Sequence, residues 1–313
     1  AEHRPPAISD RNFVMQDGVR LPYKRWEPEE SPRAAVIALH GFNDYAGAYS
    51  DLGPLLARHG LLVYAYDQRG FGGTSMRGDW AGTDAMTGDL GTVTELLQAA
   101  HPELPVYALG ESMGGAVIMT ALAGARPPRL DGAVLSAPAV WGRSTLALWK
   151  RFILTLAAHT VPRIRVRPQS LPSPPSDNIE MLRRLSRDPM MIKETRIEAA
   201  WGLSGLMDEA LAASPNLSVP LLVLYGARDG IIPRRPTCRM LKALPDGNAP
   251  ARSWRLALYE DGYHMLFRDR HGDRVSADIA AWLINPLSAL PSGAEITGSN
   301  KARPLPEFCS QMD

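Results

Sequence analysis

Val106-Tyr107-Ala108-Leu109-Gly110-Glu111-Ser112-Met113-Gly114-Gly115-Ala116 reads as a strand, a tight turn and the start of a helix. The first four residues are an apolar, β-favouring run. Glycines then stand two places before and two places after Ser112, the pattern G-x-S-x-G. A turn that passes straight from strand into helix leaves no room for side chains at those flanking positions, and it strains the residue at its apex. The strain presents the apex hydroxyl beyond the carboxyl edge of a sheet. The helix that follows, read over Gly114–Ala123 and ending at Gly124, aims its positive end at the same place.

Other apolar runs extend the pattern outward. Ala34–Leu39, Leu61–Tyr66, Ala133–Leu135 and Leu221–Tyr225 are short and continuous, as strands buried on both faces of a parallel sheet are, and Trp254–Tyr259 reads as a last strand. At the start of the chain, Asn12–Gln16 and Val19–Trp26 flank Asp17-Gly18, a strong hairpin signal. Helical segments lie between the strands: Asp51–His59 ends at Gly60, and Leu90, Val93 and Leu97 fall at helical spacing. The alternation predicts an α/β fold, with a mainly parallel eight-stranded sheet flanked by helices.

Two stretches break the rhythm. Residues 138–215 lack a clear strand and carry helical runs, Trp141, Trp149, Phe152 and Trp201, and a Pro-rich hinge at 168–175. They read as a helical cap inserted between a first core part, 1–137, and a second, 216–285. Residues 286–313 are polar and aperiodic, and are expected to be a flexible tail.

The composition excludes several classes. The 313 residues allow one large domain or two small ones. Hydrophobic residues at 45% and charged residues at 21% are those of a globular protein, not a disordered one. A net charge of +1, from 34 Lys+Arg against 33 Asp+Glu, argues against nucleic acid as a partner. No window holds the roughly 18 apolar residues of a membrane span. The 27 glycines and 27 prolines call for many turns. Cys238 and Cys309 cannot make a disulfide framework or a Cys-rich metal site, and a bond between them requires an oxidising compartment. The chain starts at Ala1 and not Met, as it would after removal of an export leader or after trimming, so the compartment stays open. Of the two, a cell-envelope or periplasmic location, with the leader removed, is favoured over the cytoplasm.

A serine nucleophile needs a base, and the base an orienting carboxylate. Of the seven histidines, His3 lies in a Pro-rich opening, His59 and His101 at helix ends, His159 in the cap, and His271 opens the last helix. His264 follows the last strand in a loop, where the base is delivered. Asp229 follows the strand Leu221–Tyr225 and gives the order Ser, Asp, His. Asp208 lies in the cap, and Asp261 is too near His264 along the chain to reach its far nitrogen. Two backbone amides should hold an oxyanion: that of Met113, after the nucleophile, and that of Phe42, in the loop His40-Gly41-Phe42-Asn43. His40 itself is expected to hold that loop. The loop after Leu61–Tyr66, at 67–73, has neither Gly-Lys-Ser/Thr nor a complete G-x-G-x-x-G, so it is not read as a nucleotide site.

With these residues in place, the chain resembles the α/β-hydrolase superfamily, and within it the monoacylglycerol lipase and lysophospholipase family, the serine aminopeptidase S33-type group. The matching pieces are HGFNDY at 40–45, YDQRGFGGTS at 66–75, GESMGG at 110–115, SAPAV at 136–140, DPM at 188–190, LYGARDGIIP at 224–233 and DGYHML at 261–266, over roughly residues 10–285. The resemblance implies Ser112 as nucleophile, Asp229 as acid, His264 as base, the Phe42 and Met113 amides as oxyanion donors, and no metal or organic cofactor. Glu111 departs from it, since many relatives carry His there.

The cap adds a substrate clue. Residues 132–176 contain no acid but six bases, Arg143, Lys150, Arg151, Arg163, Arg165 and Arg167, interleaved with apolar side chains. Trp141, Trp149 and Phe152 are expected to line an acyl-binding tunnel, with basic flanks resting on an anionic lipid surface. The resemblance then implies hydrolysis of single-chain lipid esters, a monoacylglycerol or a lysophospholipid. Alternatives are an S33-type peptidase on small peptides, a short-chain carboxylesterase or perhydrolase on the same triad, and a non-catalytic binding module, which an intact triad argues against.

Overall fold

The computed structural model describes residues 5–143, 148–167, 173–245, 254–296 and Cys309, without the side chains of 148–151. The strands among them are β1 (Ala7–Ile8), β2 (Asn12–Val14), β3 (Arg20–Trp26), β4 (Ala34–Leu39), β5 (Leu61–Tyr66), β6 (Val106–Glu111), β7 (Gly132–Ser136), β8 (Arg165–Val166), β9 (Thr195–Arg196), β10 (Leu221–Gly226) and β11 (Trp254–Tyr259). All but β8 and β9 form one sheet in the order β1-β2-β3-β5-β4-β6-β7-β10-β11. From β5 to β11 every neighbouring pair is parallel, while β1, β2 and β3 meet each other and β5 antiparallel. The sheet is mainly parallel as expected, but it has nine strands instead of eight. The additional strand is β1, which pairs Ala7 with Val14 and Ile8 with Phe13. Two residues after Pro5-Pro6 carry no periodicity to read.

The helices are α1 (Leu52–Arg58), α2 (Thr83–Ala100), α3 (Met113–Leu122), α4 (Leu148–Thr160), α5 (Ile179–Arg187), α6 (Ile197–Ala213), α7 (Arg234–Ala243) and α8 (Gly272–Ile284). Because side chains alternate along a strand, each central strand feeds two cores. On β4, Ala35, Ile37 and Leu39 join the core beneath α2, α3, α6 and α7, whereas Ala34, Val36 and Ala38 join the one beneath α1 and α8. Burial on both faces explains why these strands read as unbroken apolar runs.

The insertion between β7 and β10 carries α4, α5 and α6, with β8 and β9 paired as a short antiparallel ribbon. The ribbon was not foreseen, again because each strand is two residues long. Leu206 and Ala210 of α6 share a core with Val117 and Ile118 of α3, so the end of the insertion is built into the body of the fold.

The first part of the expected tail is not loose. The amides of Leu258 and Ile296 donate to Ala294 and Leu256 respectively, each at 2.9 Å, and lay residues 294–296 along β11. Arg255 grips the Glu295 carboxylate with two bonds, at 2.7 and 2.5 Å. Residues 294–296 thereby cover an edge that would otherwise present unpaired backbone groups. Farther on, Cys309 is fully buried and disulfide-bonded to Cys238 of α7.

Candidate active site

The carboxyl ends of β4, β6, β10 and β11 converge on one edge of the sheet. Ser112 follows β6 with φ 52° and ψ −113°, a left-handed backbone that a side-chain-bearing residue adopts only under constraint. The constraint is visible. The Ser112 amide donates to the Ser136 carbonyl at 2.9 Å, and its carbonyl accepts from Ala116 at 3.1 Å and Ala139 at 3.0 Å. A Cβ on Gly114 would stand 2.1 Å from the Leu39 carbonyl oxygen, and one on Gly110 2.5 Å from Gly114, so the bare backbone at these two places lets α3 start directly against β4 and β6.

Asp229 and His264 are buried together. The His264 Nδ1 lies 2.8 Å from the Asp229 Oδ2. The other carboxylate oxygen accepts from the amides of Ile231 at 2.7 Å and Ile232 at 2.9 Å, which fixes the plane of the acid. An imidazole that donates from Nδ1 to a carboxylate leaves Nε2 unprotonated and able to take a proton. The two alternative acids are engaged elsewhere, Asp208 with Arg143 at 3.6 Å and Asp261 with Arg274 at 3.9 Å.

The loop after β4 lies beside the elbow: a Cβ on Gly41 would be 3.5 Å from the Ser112 Cβ. Among the described residues, neither the Phe42 amide nor the Met113 amide is spent on another backbone group. Met113 is the first residue of α3, where helical geometry leaves the amide without a partner. His40 is fully buried and holds this loop to the next one. Its Nδ1 lies 2.8 Å from the Gly41 carbonyl, its Nε2 accepts from the Gln68 amide at 3.0 Å, and the Gln68 side chain donates to the His40 carbonyl at 2.7 Å. Burial holds its pKa below the ordinary histidine value, against the pull of Asp44, so the ring stays neutral.

Beneath the site is a charge cluster that sequence reasoning missed. Arg268, four residues after His264, donates to Asp44 at 2.8 Å and to Glu111, and all three side chains are buried. One guanidinium thus ties the loop after β4, the elbow at Ser112 and the segment that follows His264. Burial raises the pKa of Glu111, and the Arg268 charge opposes the rise. The departure at Glu111 was the available signal, because a buried carboxylate demands a partner. Its partner, 157 positions away, left no mark in the sequence. Asp269 adds a second tie, accepting from the Tyr263 amide at 2.7 Å and from Ser176 at 2.6 Å; burial pushes its pKa up to about 6.

The cap touches the site through two main-chain bonds and one between side chains. The Ile192 amide donates to the Asn43 carbonyl at 3.0 Å, Asn43 Nδ2 donates to Thr195 Oγ1 at 2.7 Å, and the Met265 amide donates to Pro175 at 2.9 Å. Of the residues expected to line an acyl tunnel, Trp141 is half-buried, and the Trp149 side chain lies outside the described residues. Phe152 is 67% exposed, next to exposed Ile153 and Leu156. It does not line an enclosed tunnel here, because α4 turns these side chains toward solvent.

The profile of a family described as serine aminopeptidase, S33, matches residues 30–271. A monoacylglycerol lipase of Mycolicibacterium smegmatis is 28% identical over 292 residues, covering 89% of this chain and 98% of that protein. A monoglyceride lipase of Rattus norvegicus is 27% identical, covering 82% and 84%. Among solved structures, a soluble variant of the Saccharomyces cerevisiae monoglyceride lipase, in complex with a substrate analog, superposes with a TM-score of 0.74 at 21% identity, covering 92% of this chain and 97% of that one. The monoacylglycerol lipase of Paleococcus ferrophilus gives 0.72 at 21%, covering 84% and 98%. These two likenesses establish the α/β-hydrolase fold.

Proposed function

We propose, from the premise that the chain belongs to the serine aminopeptidase S33 family, that it is a serine ester hydrolase acting on single-chain lipid esters of the monoacylglycerol kind. The observation that carries the chemistry is the 2.8 Å bond between His264 and Asp229 at the sheet edge where the strained elbow presents Ser112. The substrate class is supported by relatives named monoacylglycerol and monoglyceride lipases, which match this chain along most of its length.

The reaction follows from the parts. Ser112 attacks the ester carbonyl while His264 Nε2 takes its proton. Asp229 holds the tautomer and stabilises the imidazolium, and the Phe42 and Met113 amides receive the oxyanion. His264 then protonates the leaving alcohol, and it activates a water to release the fatty acid. Ser112→Ala should lower turnover by roughly three or more orders of magnitude, and a fluorophosphonate probe should label Ser112 alone. Wild-type esterase activity in the variant, or labelling elsewhere, defeats the mechanism. A series of glycerol esters of increasing chain length, run beside aminoacyl arylamides, tests the substrate class. Cleavage of the arylamides in preference to the esters would favour a peptidase.

The cap is also read as the part that meets a lipid surface. Phe152, Ile153 and Leu156 of α4 are all exposed, with Val161 and Arg163 just beyond the helix. Such a face, apolar with a basic flank, favours an interfacial resting place. Phe152→Asp should weaken binding to phospholipid vesicles in a flotation assay, and unchanged flotation would count against this contact.

A further inference from the structure

The ribbon β8–β9 opens onto a cleft of about 460 Å³, within the range of small-molecule sites. Its charged lining is Arg77, Arg165, Arg167, Lys193 and Arg196 against one carboxylate, Glu194. We propose that this cleft is a phosphate seat, taking the phosphate ester of a lipid headgroup.

Three observations carry this. First, the register of the ribbon places Arg165 directly opposite Arg196. Like charges at paired positions of an antiparallel ribbon repel, and a ribbon of two residues per strand has little to offset them. Arg196 is offset by Asp79 and, at 3.4 Å, Glu198. Among the described residues, nothing does the same for the Arg165, Arg167 or Lys193 side chains. Second, Arg77 is already oriented at the rim: its guanidinium donates to the Pro189 carbonyl and approaches that of Met191 at 3.4 Å, which consumes donors without neutralising charge. An anion shared by such a cluster is held by charge-assisted bonds. Third, Ile164 and Val166, the neighbours of Arg165, are 52% and 45% exposed. Because side chains alternate along a strand, Val166 leaves the ribbon on the face away from the cleft, and a short ribbon with one exposed apolar face and one cationic face suits a headgroup at a lipid surface better than a free anion.

The position has a consequence for the catalytic loops. Ile192, Lys193 and Glu194 line one wall of the cleft, and this segment holds Asn43 through the Ile192 amide on its carbonyl and, at the next residue, Thr195 on its side chain. Asn43 follows Phe42, one of the two oxyanion donors. A phosphate in the seat braces the strand against which the oxyanion loop rests.

The assignment of the phosphate to a lipid rests on the lipid-ester reading above, while the seat itself does not. The test therefore uses the full chain and binding alone, so that an inactive Ser112 mechanism and an absent seat give different results. Wild type is compared with the triple variant Arg165→Ala/Arg167→Ala/Lys193→Ala, whose circular dichroism and melting temperature in phosphate-free buffer verify folding. Arg165→Gln alone serves if the triple variant does not fold. The probes are sn-glycerol 3-phosphate, inorganic phosphate, and vesicles of phosphatidylcholine with and without phosphatidylglycerol. The expected result is a saturable rise in melting temperature with glycerol 3-phosphate, lost in the variant, together with at least a tenfold loss of binding to the phosphatidylglycerol vesicles. No saturable rise, or the same rise in the variant, overturns the seat. A rise lost in the variant, with vesicle binding intact, overturns the lipid headgroup as its occupant in favour of a free phosphate ester.

Discussion

Arg268 and Glu111 are hydrogen-bonded inside the protein, directly behind the residue that turns the nucleophile elbow. The same guanidinium also holds Asp44, at 2.8 Å. Removing one partner of a buried ion pair strands the other, at roughly 3–5 kcal/mol. Arg268→Met strands two carboxylates, so it should lower the urea midpoint strongly. It should also reduce kcat by a larger factor than it changes KM, since the elbow, the loop after β4 and the segment after His264 lose their common tie. Glu111→Gln/Arg268→Met should be less destabilised than the sum of its single variants. Strict additivity, or an effect confined to KM, would deny the cluster a positioning role.

His40 makes stability sensitive to acid. Its neutral ring accepts a hydrogen bond from Gln68 that an imidazolium cannot accept, and burial keeps its folded pKa below that of the unfolded chain. The folded state therefore binds fewer protons, and the stabilisation present above about pH 6.5 is lost as pH falls through the folded pKa. Urea denaturation at a series of pH values should show this loss, and His40→Gln should flatten that part of the profile.

Asp269 acts in the opposite sense. Its folded pKa, raised to about 6 by burial, lies above the ordinary carboxylate value. The folded state favours its protonated form, so the stability it contributes is complete below about pH 4 and declines as pH rises through about 6. The stability of wild type relative to Asp269→Asn should fall by roughly 2–3 kcal/mol between pH 4 and 7. A difference that grows over this range would reverse the sign and refute the assignment. Carbon-detected titration of the Asp269 carboxyl gives an independent reading.

The bond between Cys238 and Cys309 spans 71 positions. Closing a loop of that length in the unfolded chain stabilises the fold by roughly 4 kcal/mol in the chain-entropy view, and measured values commonly fall at 2–4. Cys309→Ser should lower stability by about that amount and make the segment after 296 more susceptible to proteolysis. Intact mass with and without reduction before alkylation should show two alkylated cysteines only after reduction.

The sequence alone determined the parallel core and the elbow, and it singled out Ser112, Asp229 and His264 as the candidate central residues. It did so because each is a local event. A strand buried on both faces must be apolar throughout, as Ala34–Leu39 is. A turn packed against a neighbouring strand must be bare, as Gly110 and Gly114 are. Ser112, Asp229 and His264 each follow a strand whose pattern is self-evident. The tertiary structure decided what depends on distance. It brought Arg268 to Glu111 and Asp44, set Arg165 across from Arg196, bound Glu295 to the sheet edge through Arg255, and turned Phe152 outward. Each of these is a relation between residues that no periodicity links, selected by burial and charge only after the chain has folded.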